Sequence, residues 1–279
     1  LLTHFSKEVY RRLSLQDTSS IDYMFSWHGN ADLIVAIVKL FEDLKNAEHD
    51  ILGVGVQAIL LVEDSVRYYS TYLPELYKMI LMQTREFLAE TLNEQQRKIR
   101  KRSRPKILLA TNLEDAMSMY EKYRNNLLGV ISDVGFNIHK DDAPDQEVLD
   151  AGINLVRHIK ADDPFMPVLL QSSQDNISVV AQELGVGFLR KYSKTLMLQL
   201  SDYIKAEFGF GDFVFRDADR MEYGRAANLK ELEALMRVVP DEILLANTSK
   251  NMLSKWFLAR GLFTLGEKFK EVQESHFTD

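Results

Sequence analysis

The chain has no cysteine. Disulfides, thiol catalysis and cysteine-ligated zinc are therefore excluded, and a reducing compartment such as the cytoplasm fits. Long apolar runs are also missing. The longest, Leu33 to Phe41, is broken by Lys39, far below the roughly 18 residues of a membrane-spanning helix. No signal-peptide pattern opens the chain, and there is no initiator Met, so it reads as a portion of a longer polypeptide. Positive charge is in the minority: 34 Lys and Arg stand against 41 Asp and Glu, a net charge of −7. That argues against a nucleic-acid partner. What is present is ordinary globular composition, 46% apolar and 27% charged over 279 residues, enough for a sizeable core.

Three segments are legible. In residues 1–50, Ile21 to Trp27 reads as a strand. A helix follows, with Asn30 as its N-cap and Leu33, Ile34, Ile37, Val38, Leu40, Phe41 and Leu44 as its apolar positions.

Residues 51–210 alternate short apolar runs with amphipathic stretches. The runs are 58–62, 106–110, 127–131, 168–170 and 187–189. The stretches between and after them include 113–123, 146–161, 177–184 and 195–208. Runs without polar alternation mark strands buried on both faces, and strand–helix alternation predicts a parallel sheet. The connection from Val66 to Arg104 is too long for one ordinary helix. Pro74 is expected to kink or restart it, leaving a helix over 75–102 of about 40 Å at 1.5 Å per residue. Such a helix could serve as a homodimerisation arm or pack along its own domain. The cluster Arg97, Lys98, Arg100, Lys101, Arg102, Arg104 and Lys106 is expected to be a solvated helix end.

Residues 211–279 open with a strand-like stretch, Asp212 to Arg216, followed by two or three helices. One of these should be capped by Asn228 with Glu231 at its third position. No catalytic motif is visible there, and nothing suggests a DNA-binding helix-turn-helix.

The chemistry collects at strand ends: Glu63-Asp64 after the first, Ser132-Asp133 at the third, Gln171-Ser172-Ser173 at the fourth, Arg190-Lys191 at the fifth. In a parallel doubly wound sheet these ends share one edge, where ligands bind. Three carboxylates brought together call for a cation, and Mg2+ suits one to three carboxylates with waters. A carboxylate facing such a site can attack phosphorus, while an ammonium and a hydroxyl hold phosphoryl oxygens.

These residues resemble the receiver domain of bacterial two-component response regulators. Ile59 to Ser65 looks like that family's first strand and acidic pair, Ile131-Ser132-Asp133 like its phosphoacceptor strand, Pro167 to Ser173 like its fourth strand, and Gly187 to Lys191 like its fifth. The resemblance implies an α/β, flavodoxin-like (CheY-like) doubly wound sheet of five parallel strands in order 2-1-3-4-5. To this the sequence adds a small, mainly helical C-terminal module and a long first helix, which is far longer than is usual in that family. The resemblance makes Asp133 the phosphoacceptor, Lys191 and Ser172 its catalytic partners, and Ser172 and Phe188 the switch pair. Mg2+ would be held by Glu63, Asp64, Asp133 and the Gly135 carbonyl. A histidine kinase or a small phosphodonor would be the partner. Tyr192 departs from the pattern, since proline usually follows the lysine.

Residues 1–50 are similar to the last strand and helix of a second, degenerate receiver, with Trp27 where lysine would stand. The layout, including Tyr68-Tyr69 and 209–216, is more loosely similar to the region ahead of phosphoenolpyruvate-synthase-like domains. That implies control of an attached catalytic domain and no enzyme activity in this stretch beyond self-phosphorylation. The competing expectation is a degenerate receiver, never phosphorylated, that serves as a dimerisation scaffold. A haloacid-dehalogenase-type phosphatase is excluded, because it needs a second carboxylate where Gly135 stands.

Overall fold

The computed structural model describes residues 2–4, 21–27, 29–89, 103–140, 142, 146–217, 219, 221–248 and 251–270. The central element is a parallel five-stranded sheet of β3 (Ala58–Val62), β4 (Lys106–Ala110), β5 (Leu127–Asp133), β6 (Val168–Ser172) and β7 (Gly187–Arg190). The strands lie in the order β4-β3-β5-β6-β7, the 2-1-3-4-5 order expected. Apolar residues fill both faces. Ile59, Leu61, Ile107 and Leu109 belong to one core, and Leu60, Val62, Leu108 and Ala110 to the other. This is the two-residue alternation of a pleated strand with no solvent face.

The first face is covered by α1 (Asp32–Ala47), α2 (Val66–Ala89) and α6 (Leu196–Glu207). The second is covered by α3 (Leu113–Tyr123), α4 (Ala151–Asp162) and α5 (Ile177–Glu183). α2 runs through Pro74 as one helix, so it does not restart there. Tyr72, Leu73, Leu76 and Tyr77 around the proline are all buried. Burial of four large side chains offsets the roughly 3 kcal/mol a proline costs inside a helix. Up to Phe87 the helix is packed along its own domain; of the 75–102 helix expected as a projecting arm, residues 90–102 lie outside the described residues.

The N-terminal segment pairs β1 (Leu2–His4) with β2 (Phe25–Trp27) in parallel. Asn30 accepts from the Asp32 amide at 2.9 Å, so it caps α1 as expected. Phe25, Leu33, Ala36 and Leu40 sit in the same core as Ile59 and Leu61. A buried carboxylate fixes α1 to the sheet edge. Asp43 accepts from Arg104 Nη2 at 2.7 Å, the Tyr77 hydroxyl at 2.9 Å and the Ile107 amide at 3.0 Å. Lys106 completes the cluster at 2.6 Å from Asp50. Arg104 and Lys106 are therefore buried ion-pair partners, which corrects the solvated helix end at these two positions. Their carboxylate partners lie on α1 and just after it, distant in sequence. Arg97 to Arg102 fall outside the described residues.

The C-terminal module has its own core around Phe213, Phe215, Trp256 and Phe257. Among the described residues it is a hairpin of β8 (Phe213–Arg216) and β9 (Glu222–Ala226) with four helices, α7 (Leu229–Met236), α8 (Asp241–Thr248), α9 (Met252–Ala259) and α10 (Phe263–Lys270). Two or three helices were expected. The capping box on α7 is present: Asn228 accepts from the Glu231 amide at 3.0 Å, and Glu231 accepts from the Ala227 amide at 2.8 Å. Arg260 ties the module back. Its guanidinium lies over the Trp256 and Phe87 rings and donates to the Gly209 and Gly211 carbonyls.

Candidate functional site

The parallel register sets the site. Val62 pairs with Ser132, Asp133 with Gln171, and Ser172 with Arg190. Glu63, Asp133, Ser172 and Lys191 thus emerge at one carboxyl edge. Glu63 and Lys191 stand one residue beyond their strands, and Asp133 and Ser172 end theirs.

Lys191 Nζ lies 2.5 Å from Asp133 Oδ2 and 2.8 Å from Glu63 Oε2. The side chains of Lys191, Glu63 and Asp133 are 6%, 1% and 14% exposed, so three formal charges share a nearly dry pocket. Asp64 joins them: one carboxylate oxygen from each of Glu63, Asp64 and Asp133 falls within 4.8 Å of the others. Asp133 Oδ1 accepts from the Val134 amide at 2.7 Å, and Glu63 Oε1 from the Ser65 amide at 3.2 Å. The Lys191 amide donates to the Ser172 carbonyl at 2.9 Å, and Ser172 Oγ accepts from the Gln174 amide at 3.2 Å.

The electrostatics follow from burial and like charge. Desolvation, then the Asp133 carboxylate, pushes the Glu63 carboxyl well above its ordinary range against the pull of Lys191. Burial, then Asp133 and Glu147, pushes Asp64 up to about 7. Burial disfavours the Lys191 ammonium, yet the Glu63 and Asp133 carboxylates together hold it above the usual lysine value.

A divalent cation fits this donor set. All the side-chain donors are carboxylate oxygens, the preference of Mg2+. Glu63 Oε2 is buried and accepts no hydrogen bond, because Lys191 approaches it outside hydrogen-bonding geometry. Burial first, and then the Asp133 charge, push two of the three carboxyls toward the neutral form, and a bound cation would oppose both effects.

Two neighbours escaped the sequence reading. The Tyr68 ring, in the first turn of α2, lies under Lys191 Nζ at 4.2 Å and meets Tyr192 edge-on at 5.9 Å. Tyr192 itself has φ 69° and is largely exposed. Glu147, from the loop before α4, reaches Gly135: a Cβ there would lie 2.3 Å from its Oε1. Only aromatic residues one turn past an acidic pair could have hinted at Tyr68, and no sequence signal marks Glu147. Phe188 is half-buried and packs against the second core. His139 is turned to Glu114, 2.9 Å away, and not to the crevice.

No protein-family model and no curated protein sequence matches the chain. Among solved structures, a response regulator receiver domain protein from Clostridium thermocellum is similar at 18% identity, with a TM-score of 0.35, over 53% of this chain and 90% of that one. The chemotaxis response regulator CheY4 of Vibrio cholerae is similar at 16% identity, with a TM-score of 0.31, over 53% of this chain and 98% of that one.

Proposed function

We propose that residues 51–210 form a phosphoryl-accepting signalling module with Asp133 as the acceptor. The observation that carries this reading is the Glu63–Lys191–Asp133 cluster at the carboxyl edge of a 2-1-3-4-5 parallel sheet, with Asp64 beside it. An Asp133 carboxylate oxygen bonds to phosphorus as the donor's P–N bond (phosphohistidine) or P–O bond (acyl phosphate) breaks, and the leaving group departs from the opposite side. Lys191 exchanges part of its pairing with Asp133 for a phosphoryl oxygen. Ser172, on the neighbouring strand, offers its hydroxyl to another, and Phe188 repacks as the loop after β6 moves. Glu63, Asp64, Asp133 and the Gly135 carbonyl would hold Mg2+, which supplies charge neutralisation. Phosphate shifts the conformational population to the extent that it interacts better with one state.

The test is incubation with acetyl phosphate and Mg2+, read by intact mass. One hydroxylamine-labile phosphoryl group is expected on the wild type and none on Asp133→Asn. Equal labelling of the variant would reject the assignment.

One observation favours a second reading, a receiver fold used as a non-phosphorylated scaffold. The Lys191 ammonium is already paired with Glu63 and Asp133 and is covered by Tyr68. That reading expects no thermal stabilisation by Mg2+ with beryllofluoride.

A further inference from the structure

Lys191 is hemmed in by more than its two carboxylates. Its Nζ donates to Asp133 Oδ2 at 2.5 Å and to Glu63 Oε1 at 3.1 Å. An ammonium has three N–H donors. Among the described residues no other group accepts from it. The face of the Tyr68 ring covers the ammonium instead, 4.2 Å from Nζ, a cation–π contact.

Two more rings hold Tyr68 there. Tyr72, one turn further along α2 and fully buried, stacks with it at 5.8 Å. Tyr192, the residue after the lysine, meets it edge-on at 5.9 Å.

Tyr192 is the strained member of the group. Its φ of 69° is left-handed, and the other non-glycine residue with positive φ among those described is Asn251. Asparagine tolerates that region, whereas a bulky ring does not. A proline, fixed near −65°, could not stand here. Tyr192 is 71% exposed, so burial does not offset the strain. Backbone outliers of this kind cluster at active sites and switch regions.

We infer that Tyr68 is a positioning residue for phosphoryl transfer, acting through Lys191, with Tyr192 as its brace. The ring occupies the side of the ammonium that an incoming phosphoryl oxygen needs, so Tyr68 yields when phosphate arrives. Tyr72 is buried behind it, and the way out for the half-buried Tyr68 ring is past exposed Tyr192. Phosphate at Asp133 is thereby reported at a surface tyrosine, by a route separate from Ser172 and Phe188. The inference rests on Asp133 as the acceptor and adds how that site is regulated.

The experiment uses the full chain with fluorotyrosine in place of tyrosine, treated with acetyl phosphate and Mg2+. Intact mass counts phosphoryl groups in the sample used for fluorine NMR. Tyr68→Phe, Tyr192→Phe and Tyr223→Phe identify three resonances. Those of Tyr68 and Tyr192 are expected to shift by more than a linewidth on phosphorylation, while that of Tyr223, in the C-terminal module, stays in place. In Tyr68→Leu the Tyr192 resonance should no longer respond. That variant, with its ammonium uncovered, should gain phosphoryl groups about fivefold faster, the scale of one cation–π contact. Tyr68→Phe keeps the ring and should restore the wild-type rate. Phosphorylated wild type with unmoved Tyr68 and Tyr192 resonances overturns the inference and leaves Asp133 as acceptor; this measurement decides even if Tyr68→Leu does not fold. A folded Tyr68→Leu labelled no faster than the wild type also overturns it. A wild-type chain that takes no phosphoryl group overturns both the inference and the acceptor.

Discussion

Lys191 and Asp133 are 58 positions apart in sequence, and their charged atoms meet at 2.5 Å. Lys191 serves Glu63 as well, so a single ammonium is shared between two buried carboxylates. Removing one partner of a buried pair costs about 3–5 kcal/mol, because the other charge is left uncompensated. Lys191→Met should lose stability of that order in urea unfolding near pH 7. Mg2+ should restore more of it to the variant than it adds to the wild type. A variant as stable as the wild type would show that the pair carries no net energy.

Asp64 sets the pH dependence. Its carboxyl moves from 3.8 to about 7 on folding. Between those values the folded protein holds a proton that the unfolded chain has lost. Stability contributed at this site therefore falls as pH rises through that window. A bound cation reverses the penalty. The rise in Tm on adding Mg2+ should be larger near pH 8 than near pH 5.5, and an equal rise at both would contradict it.

The Asp43 cluster gives a sharper case. Asp43 is fully buried and pairs with Arg104 through two oxygens. Asp43→Ala strands the guanidinium and should cost about 3–5 kcal/mol. Arg104→Met in the same chain should recover part of the loss, giving a non-additive double-mutant cycle in denaturant melts. Strict additivity would mean that the two side chains are not coupled.

Gly152 lies directly against the carboxyl end of β5. A Cβ on it would sit 2.0 Å from the Asp133 carbonyl oxygen, a backbone atom that cannot swing aside. Gly152→Ala should destabilise by about 1–3 kcal/mol and slow acetyl phosphate labelling of Asp133. Wild-type melting and labelling would argue against that close approach.

The five strands were legible because each is an unbroken apolar run, which few other elements produce. Four of the chemistry-bearing side chains were legible because strand ends in a parallel sheet share one edge. What was hidden depends on contacts that no local pattern encodes. Arg104 and Lys106 look like solvent-facing cations until Asp43 and Asp50 fold over them. β9, with Glu222, Tyr223 and Arg225 exposed, lacks the apolar signature of the central strands. Pro74 reads as a breaker because its neighbours' burial comes from tertiary packing. Glu147 arrives at Gly135 by way of a loop, and loops have no period to read.

Helix α4 begins against Asp133 and ends with Lys160, whose Nζ donates to the Pro164 and Met166 carbonyls just ahead of β6. Its twelve residues form a stiff rod of about 18 Å, at 1.5 Å per residue. A tilt that lifts Gly152 away from the strand must swing the far tip by a comparable amount. A rigid tilt of this helix would therefore be felt at both of its ends.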